Sequence, residues 1–276
     1  MSLNNPPVWK YSMCSTGLKS RSLSEVMSTA RDVGLDGVEL WTQHVEDALK
    51  SGESLGQIKA RLQETDLEVP ALAAYTSFSK GPEEIAADLR EIGRAAELAR
   101  GVGSPRIRTF AGHVPSAEAG SKEWEAAVGG IRQAACICAA SGIRLAVEIH
   151  NRTYVDRLDW IKRLVDDVNE ESLELIYDPF NLFVDHQDTL PALEVLYPWI
   201  KHVHFKNYRW NHQNWGLSVP VPILQGDCDH SLIISRLVEL QYEGFISFEY
   251  FGEGCADLAS RSLTEIRNFL SCPPRL

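Results

Sequence analysis

Leu145-Ala-Val-Glu148 is a short apolar run that ends on a carboxylate. The same design returns as Leu175-Ile-Tyr-Asp178, His202-Val-His204-Phe205 and Phe245-Ile-Ser-Phe-Glu249. Each run carries, at or near its C-terminal end, a side chain able to ligate a divalent cation. The ligand candidates stand 30, 26 and 45 residues apart. The first two intervals suit a strand, a helix and two loops. The third also holds an irregular insertion, 207–227, of the length expected of a lid or binding loop. In a parallel barrel the C-terminal strand ends face one opening, so Glu148, Asp178, His204 and Glu249 are expected to converge. Three carboxylates and one imidazole suit a single manganese, magnesium or cobalt ion, and zinc is compatible.

The rest of the chain keeps this rhythm. Strand-like runs at 8–13, 37–40, 69–74 and 106–110 bring the total to eight. Amphipathic segments lie between or after them at 23–33, 55–64, 82–100, 123–140, 157–168, 190–197, 230–240 and 258–270, their apolar residues three and four apart. Val33-Gly-Leu-Asp-Gly37 and Leu240-Gln-Tyr-Glu-Gly244 place glycine between a helix and the next strand. Alternating strands and helices imply parallel pairing with right-handed crossovers, and eight units favour a closed (β/α)8 TIM barrel over an open sheet. A length of 276 residues, 44% of them hydrophobic, suits one such domain over 1–276. Neither GxGxxG nor GxxxxGK[ST] follows the first strand, so the nucleotide-binding folds lack their usual signal.

Composition narrows the partners. A net charge of −11 disfavours nucleic acid, whose binding draws on clustered Lys and Arg. No apolar run is long enough to span a membrane, and the opening Met-Ser-Leu-Asn-Asn-Pro-Pro has no basic or apolar export region. A cytoplasmic protein without membrane contact is expected. Cys14, Cys136, Cys138, Cys228, Cys255 and Cys272 show no CxxC pair, which points to reduced thiols.

The eightfold pattern, with Val147-Glu148-Ile-His150, Tyr177-Asp178-Pro-Phe-Asn181, His202-Val-His204-Phe-Lys206 and Tyr242-Glu-Gly244-Phe-Ile-Ser-Phe-Glu249, resembles the xylose isomerase-like barrels. That superfamily holds sugar isomerases and epimerases together with AP endonuclease of the endonuclease IV type. Gly226-Asp227-Cys-Asp229 resembles its Gly-x-Gly-x-Asp segment with the second glycine replaced. The resemblance implies that Glu148, Asp178, His204 and Glu249 hold one divalent ion and that the substrate is a small carbohydrate or polyol derivative. It also implies that Arg108 contacts substrate oxygens, that Glu39 and Trp41 end the second strand beside the sugar, and that a homo-oligomer is unsurprising. Two positions depart from relatives: Asn181 stands where many have histidine, and Tyr154 where the ketose 3-epimerases carry a further glutamate.

A proton beside a carbonyl leaves only when the developing enediolate oxygens are stabilised by positive charge. Glu148 and Glu249, on opposite sides of a bound ketose, are then the acid and base. The leading reading is a divalent-metal-dependent sugar or sugar-phosphate isomerase or epimerase. The alternative is a dehydratase of the inosose or 3-dehydroshikimate type, losing a β-hydroxyl after the same proton abstraction. An endonuclease IV-like hydrolase ranks below both, because Asn181 and the acidic charge oppose it. His150 and Lys206 each lie two residues beyond a ligand candidate, so both point to the same side and become substrate contacts. Each residue also has a plainer reading: a strand-end carboxylate as a helix N-cap, Arg108 or Lys206 in a structural ion pair, His150 or His113 in a loop. Trp210, His212 and Trp215 either cover a sugar ring or pack the insertion onto the barrel.

Overall fold

The computed structural model describes residues 9–271. Its strands are β1 (Lys10–Cys14), β2 (Gly37–Trp41), β3 (Leu72–Ala73), β4 (Arg106–Thr109), β5 (Arg144–Glu148), β6 (Leu173–Tyr177), β7 (Ile200–Phe205), β8 (Asn207–Arg209), β9 (Val219–Val221) and β10 (Phe245–Phe248). All but β8 and β9 close into a parallel barrel, in sequence order from β1 to β7 and then β10, which pairs back onto β1. The closing seam sets Lys10 opposite Phe245 and Met13 opposite Phe248. Of the expected strand 8–13, Val8 lies outside the described residues.

The helices are α1 (Leu23–Val33), α2 (Thr42–Lys50), α3 (Leu55–Glu64), α4 (Pro82–Val102), α5 (Ser121–Ala140), α6 (Leu158–Val168), α7 (Pro179–Val184), α8 (Thr189–Leu196), α9 (His230–Glu239) and α10 (Cys255–Ser271). Helix α3 shows why local sequence suffices for many of them. Ser54 Oγ accepts from the Gln57 amide at 3.3 Å and Gln57 Oε1 accepts from the Ser54 amide at 2.8 Å, a reciprocal cap. One turn apart, Ile58 and Leu62 then bury the inner face. Gly34 ends α1 with φ +80°, a left-handed position that favours glycine. The turn before β10 works differently: its left-handed residue is Gln241, and a Cβ on Gly244 would come within 2.2 Å of the Tyr242 hydroxyl.

Four expectations change. Helices α2 and α7 were not anticipated. Strand β3 is two residues instead of the run 69–74, and Pro70 has no N–H to give a ladder. The insertion 207–227 is partly ordered as a hairpin, with Asn207 paired to Val221 and Arg209 to Val219, and a 3-10 turn at Trp215–Leu217. Trp210 packs on Phe180 at 5.4 Å and on Trp215 at 5.2 Å, so its aromatics hold the loop to the barrel. Cys14, Cys136, Cys138, Cys228 and Cys255 are free thiols, and Cys272 lies outside the described residues. No described helix is long and apolar enough to cross a membrane.

His230 opens α9 in full burial. Its Nδ1–H donates to the Cys228 carbonyl at 3.1 Å, its ring meets the Phe205 face edge-on, and its Nε2 has no partner. Burial lowers its pKa from 6.5 to about 4, against the smaller pull of that carbonyl. The ring is neutral in the fold and charges first in the unfolded chain. Its contribution is therefore full above pH 6.5 and is lost as pH falls toward 4, on the order of 3 kcal/mol across the window. Thermal unfolding between pH 7 and 4.5 should fall more steeply in the wild type than in His230→Gln; parallel slopes would show that this ring is not responsible.

Candidate metal centre and active site

Glu148 is the last residue of β5, Asp178 and Glu249 are the first residues past β6 and β10, and His204 lies near the end of β7. The barrel brings all four into one buried cluster, with a ligand atom from each within 4.8 Å of the others. Asp178 satisfies two readings at once. Its Oδ1 accepts from the Asn181 amide at 3.1 Å and caps α7, while its Oδ2 lies 2.8 Å from Lys206 Nζ. Lys206 also reaches Glu249 Oε2 at 2.5 Å.

Arg108 supplies the second cation. Its Nη1 lies 2.5 Å from Glu148 Oε2 and 3.3 Å from Glu249 Oε1, and its guanidinium is 4.9 Å from the ring centres of both Tyr75 and Phe110. Asn181 Nδ2 donates to Glu148 Oε1 at 3.4 Å and to the Ile149 carbonyl at 3.1 Å. Burial would raise the Glu148 carboxyl, but Arg108 and His204 hold it well below the usual range. Asp178 goes the other way, raised by burial and by Glu249 and Glu148 against the opposing pull of Lys206. Burial also opposes the Lys206 charge, yet Asp178 and Glu249 keep its pKa well above the ordinary lysine value.

Beneath the cluster lies Glu39, 1% exposed. Its Oε2 accepts from His204 Nε2 at 2.8 Å and from His202 Nε2 at 2.9 Å, and its Oε1 is 3.5 Å from Arg108 Nε. The resemblance placed Glu39 beside a sugar; the structure places it behind His204 instead. Sequence reading missed this because the partners sit on β4 and β7, across the barrel from β2. Ser247 Oγ continues the chain, 3.0 Å from His202 Nε2 and 2.5 Å from Ser12 Oγ. Cys14 Sγ lies 3.9 Å from His204 Nε2, its thiol pushed up to about 12 by burial and by Glu39.

The donor set fits a divalent cation on two grounds. Glu39, Glu148, Asp178 and Glu249 are four buried carboxylates facing two permanent cations, Arg108 and Lys206; burial opposes a charge on His204 but Glu39 and Glu148 raise its pKa well above the ordinary value, and the carboxylates outnumber the cations even with that ring charged. Buried charge of this kind is tolerated when paired or when it coordinates a metal. Secondly, His204 Nδ1 is buried without a hydrogen-bond partner, 3.6 Å from Glu148 Oε1 and 3.9 Å from Glu249 Oε1. A ring nitrogen turned toward carboxylates calls for a cation between them.

The remaining candidates line the mouth. His150, two residues past Glu148, is half-buried and packs edge-on against Phe110 at 5.2 Å. Its Nδ1–H donates to the Asn151 carbonyl at 2.6 Å, which leaves the lone pair on Nε2. Trp41 stands on the rim beside Tyr75, with Lys19 Nζ 5.4 Å from its ring centre, and does not join the cluster. His113 is an exposed loop residue that pairs with Ser79 Oγ at 2.7 Å. Tyr154 is core: it packs on Trp124 and fills the space that a Cβ at Gly112 would need.

An eight-stranded parallel barrel with its polar cluster at the C-terminal strand ends has the architecture of the (β/α)8 enzymes. Residues 27–271 match the model of the xylose isomerase-like TIM barrel family, and the chain belongs to that family. It is 24% identical to the 3-dehydroshikimate dehydratase of Bacillus anthracis, over 94% of this chain and 97% of the relative. It is 27% identical to the inosose dehydratase of Salmonella typhimurium over 46% of each. Among solved structures, the probable 3-DHS dehydratase AsbF of B. anthracis superposes with a TM-score of 0.85 at 24% identity, covering 94% of this chain and 99% of its own. The IOLI protein with a bound zinc atom has a TM-score of 0.78 at 18% identity, over 95% and 97%. A Mycobacterium smegmatis barrel in complex with magnesium has a TM-score of 0.73 at 19% identity, over 96% and 97%.

Elemental analysis of protein purified with manganese supplied should find about one divalent ion per chain, set by the one four-residue cluster among the described residues. Asp178→Asn and Glu249→Gln should weaken binding more than about tenfold, since each removes a charged donor. Wild-type protein free of metal after such loading would exclude the site.

Proposed function

We propose that the protein is a divalent-metal-dependent dehydratase acting on a cyclic hydroxyketone of the 3-dehydroshikimate type. The observation that carries this reading is that His150, at the mouth, offers a proton acceptor outside the four-residue cluster. Both oxygens of Glu148 are engaged, by Arg108 and Asn181, and both oxygens of Glu249, by Lys206 and Arg108. His150 Nε2 has neither restraint, because its other nitrogen is tied to a backbone carbonyl. Epimerisation needs proton exchange on two faces of one carbon. Elimination needs one group, which takes a proton beside the ketone and hands it to the departing hydroxyl.

The proton-transfer role read for Glu148 and Glu249 passes to His150 in this proposal, and the two glutamates act with Asp178 and His204 as ligands. A bound divalent ion supplies Lewis-acid charge for the oxygen that becomes negative as the proton leaves. His150 removes the α-proton at Nε2. Lys206 and Arg108 stay charged and donate hydrogen bonds to substrate oxygens, a carboxylate among them. Phe110 and Tyr75 shield Arg108, and Trp41 walls the mouth. The acidic interior suits a neutral or singly charged ring better than a phosphate ester.

Kinship supports the same chemistry. The relative that spans nearly the whole chain is a dehydratase, and so is the relative that matches half of it. Tyr154, packed into the core, stands at the position where the ketose 3-epimerases carry a glutamate. Manganese, magnesium, cobalt and zinc all suit the donor set, and the neighbours that hold zinc and magnesium make those two the first ions to try.

Metal-loaded protein incubated with 3-dehydroshikimate, and separately with an inosose, should release water and give a conjugated product seen by ultraviolet absorbance. His150→Gln should keep its metal yet lose at least about a hundredfold in kcat, the usual scale of a proton-transfer group. Interconversion of ketoses without loss of water would return the reading to an epimerase.

A further inference from the structure

Glu39 is buried and belongs to no ligand set proposed above, yet two of its contacts, to His204 and Arg108, run to the residues that build the cluster. Strand β2 is not a neighbour of β7, so this carboxylate crosses the barrel interior to reach both imidazoles. The group formed by Glu39, His202 and His204 has metal-binding composition, but its atoms already meet at hydrogen-bond distance, with one oxygen at 2.8 and 2.9 Å from the two Nε2 atoms. At these distances the carboxylate accepts a hydrogen bond from each ring.

A carboxylate oxygen accepts and does not donate, so His204 must carry hydrogen on Nε2. In the neutral ring, the form that ligates a metal, the lone pair then falls on Nδ1, the atom that faces Glu148 and Glu249. The same carboxylate faces Arg108 Nε through Oε1 at 3.5 Å, and Arg108 in turn holds Glu148 and Glu249. One side chain on β2 thereby bonds His204 directly and stands in ion-pair contact behind the guanidinium that holds Glu148 and Glu249.

We propose that Glu39 is the positioning residue of the metal centre: it fixes the His204 tautomer with Nδ1 as the ligating atom and aligns Arg108 against the two glutamates. His202 shares the carboxylate without facing the cluster, and Ser247 and Ser12 brace it from the far side. Carboxylates placed behind a ligating histidine orient the ring and raise its donor strength, and their removal typically weakens metal binding about 10–100-fold. The inference rests on the four-ligand reading of the metal site and is independent of which reaction the site performs.

Cobalt and manganese titrations followed by calorimetry, with no substrate present, give the test. Glu39→Gln should raise the Kd about 10–100-fold. His202→Asn removes the other imidazole from the same oxygen and should change the Kd less than about threefold. In zinc-loaded protein labelled with 15N-histidine, long-range nitrogen–proton spectra should show His204 protonated at Nε2 and bare at Nδ1, with that signal broadened or shifted in Glu39→Gln. If Glu39→Gln binds as tightly as wild type, or if His202→Asn loses as much affinity as Glu39→Gln, the positioning role is wrong and Glu39 merely joins strands. If wild type binds no ion, the four-ligand reading fails instead, so the two failures are separable.

Discussion

Excess buried negative charge is the constraint on which this barrel depends. Four carboxylates lie within its mouth and interior with two permanent cations between them. Charges withdrawn from water are costly unless each finds a close partner, and removing one partner strands the other. The arrangement meets that condition by sharing: Arg108 serves Glu148, Glu249 and Glu39, Lys206 serves Asp178 and Glu249, and His204 faces carboxylates on both of its nitrogens. No member moves without unbalancing several others.

Such sharing shapes the chemistry as well as the stability. The carboxylates clasped by Arg108, Lys206 and Asn181 are held firmly in place, with their oxygens already engaged. The imidazole that escapes the network is the one outside it, at the rim. In the proposed reaction this division keeps the electrostatic scaffold rigid while a single peripheral group would do the proton work, and preorganised charge of that kind is where much catalytic power comes from. The interior polar chain from Ser12 through Ser247 and His202 to Glu39 belongs to the scaffold, in positions that branched apolar side chains usually fill in such barrels.

The barrel and its four convergent side chains were legible in the sequence because both follow from local periodicity. Runs that end in Glu148, Asp178 and Glu249 state their own strand ends, and Ser54 with Gln57 states its own helix start. What stayed hidden has a common physical character. Helix α2 starts directly after Trp41 with no turn residue, and α7 is six mostly apolar residues too short to show a period. Pro70 shortened β3, and the hairpin carries Pro220 in a strand, so neither matched its expected pattern. The role of Glu39 was beyond reach for a different reason: a strand-end carboxylate looks the same whether it faces substrate or the back of a histidine, and only the closed barrel decides.

The seam between β1 and β10 joins the first described strand to the last described one. Both edges of the sheet therefore stay open, with unpaired backbone donors and acceptors, until the final strand is made. Glu249 arrives just after that strand, so a growing chain carries three of the four cluster residues with neither the last carboxylate nor the closed wall behind them. Assembly of the cluster is thus a late and highly non-local event, of the kind that slows folding. A nascent or truncated chain that stops before β10 lacks Glu249, so the complete four-residue cluster exists only in chains that have closed.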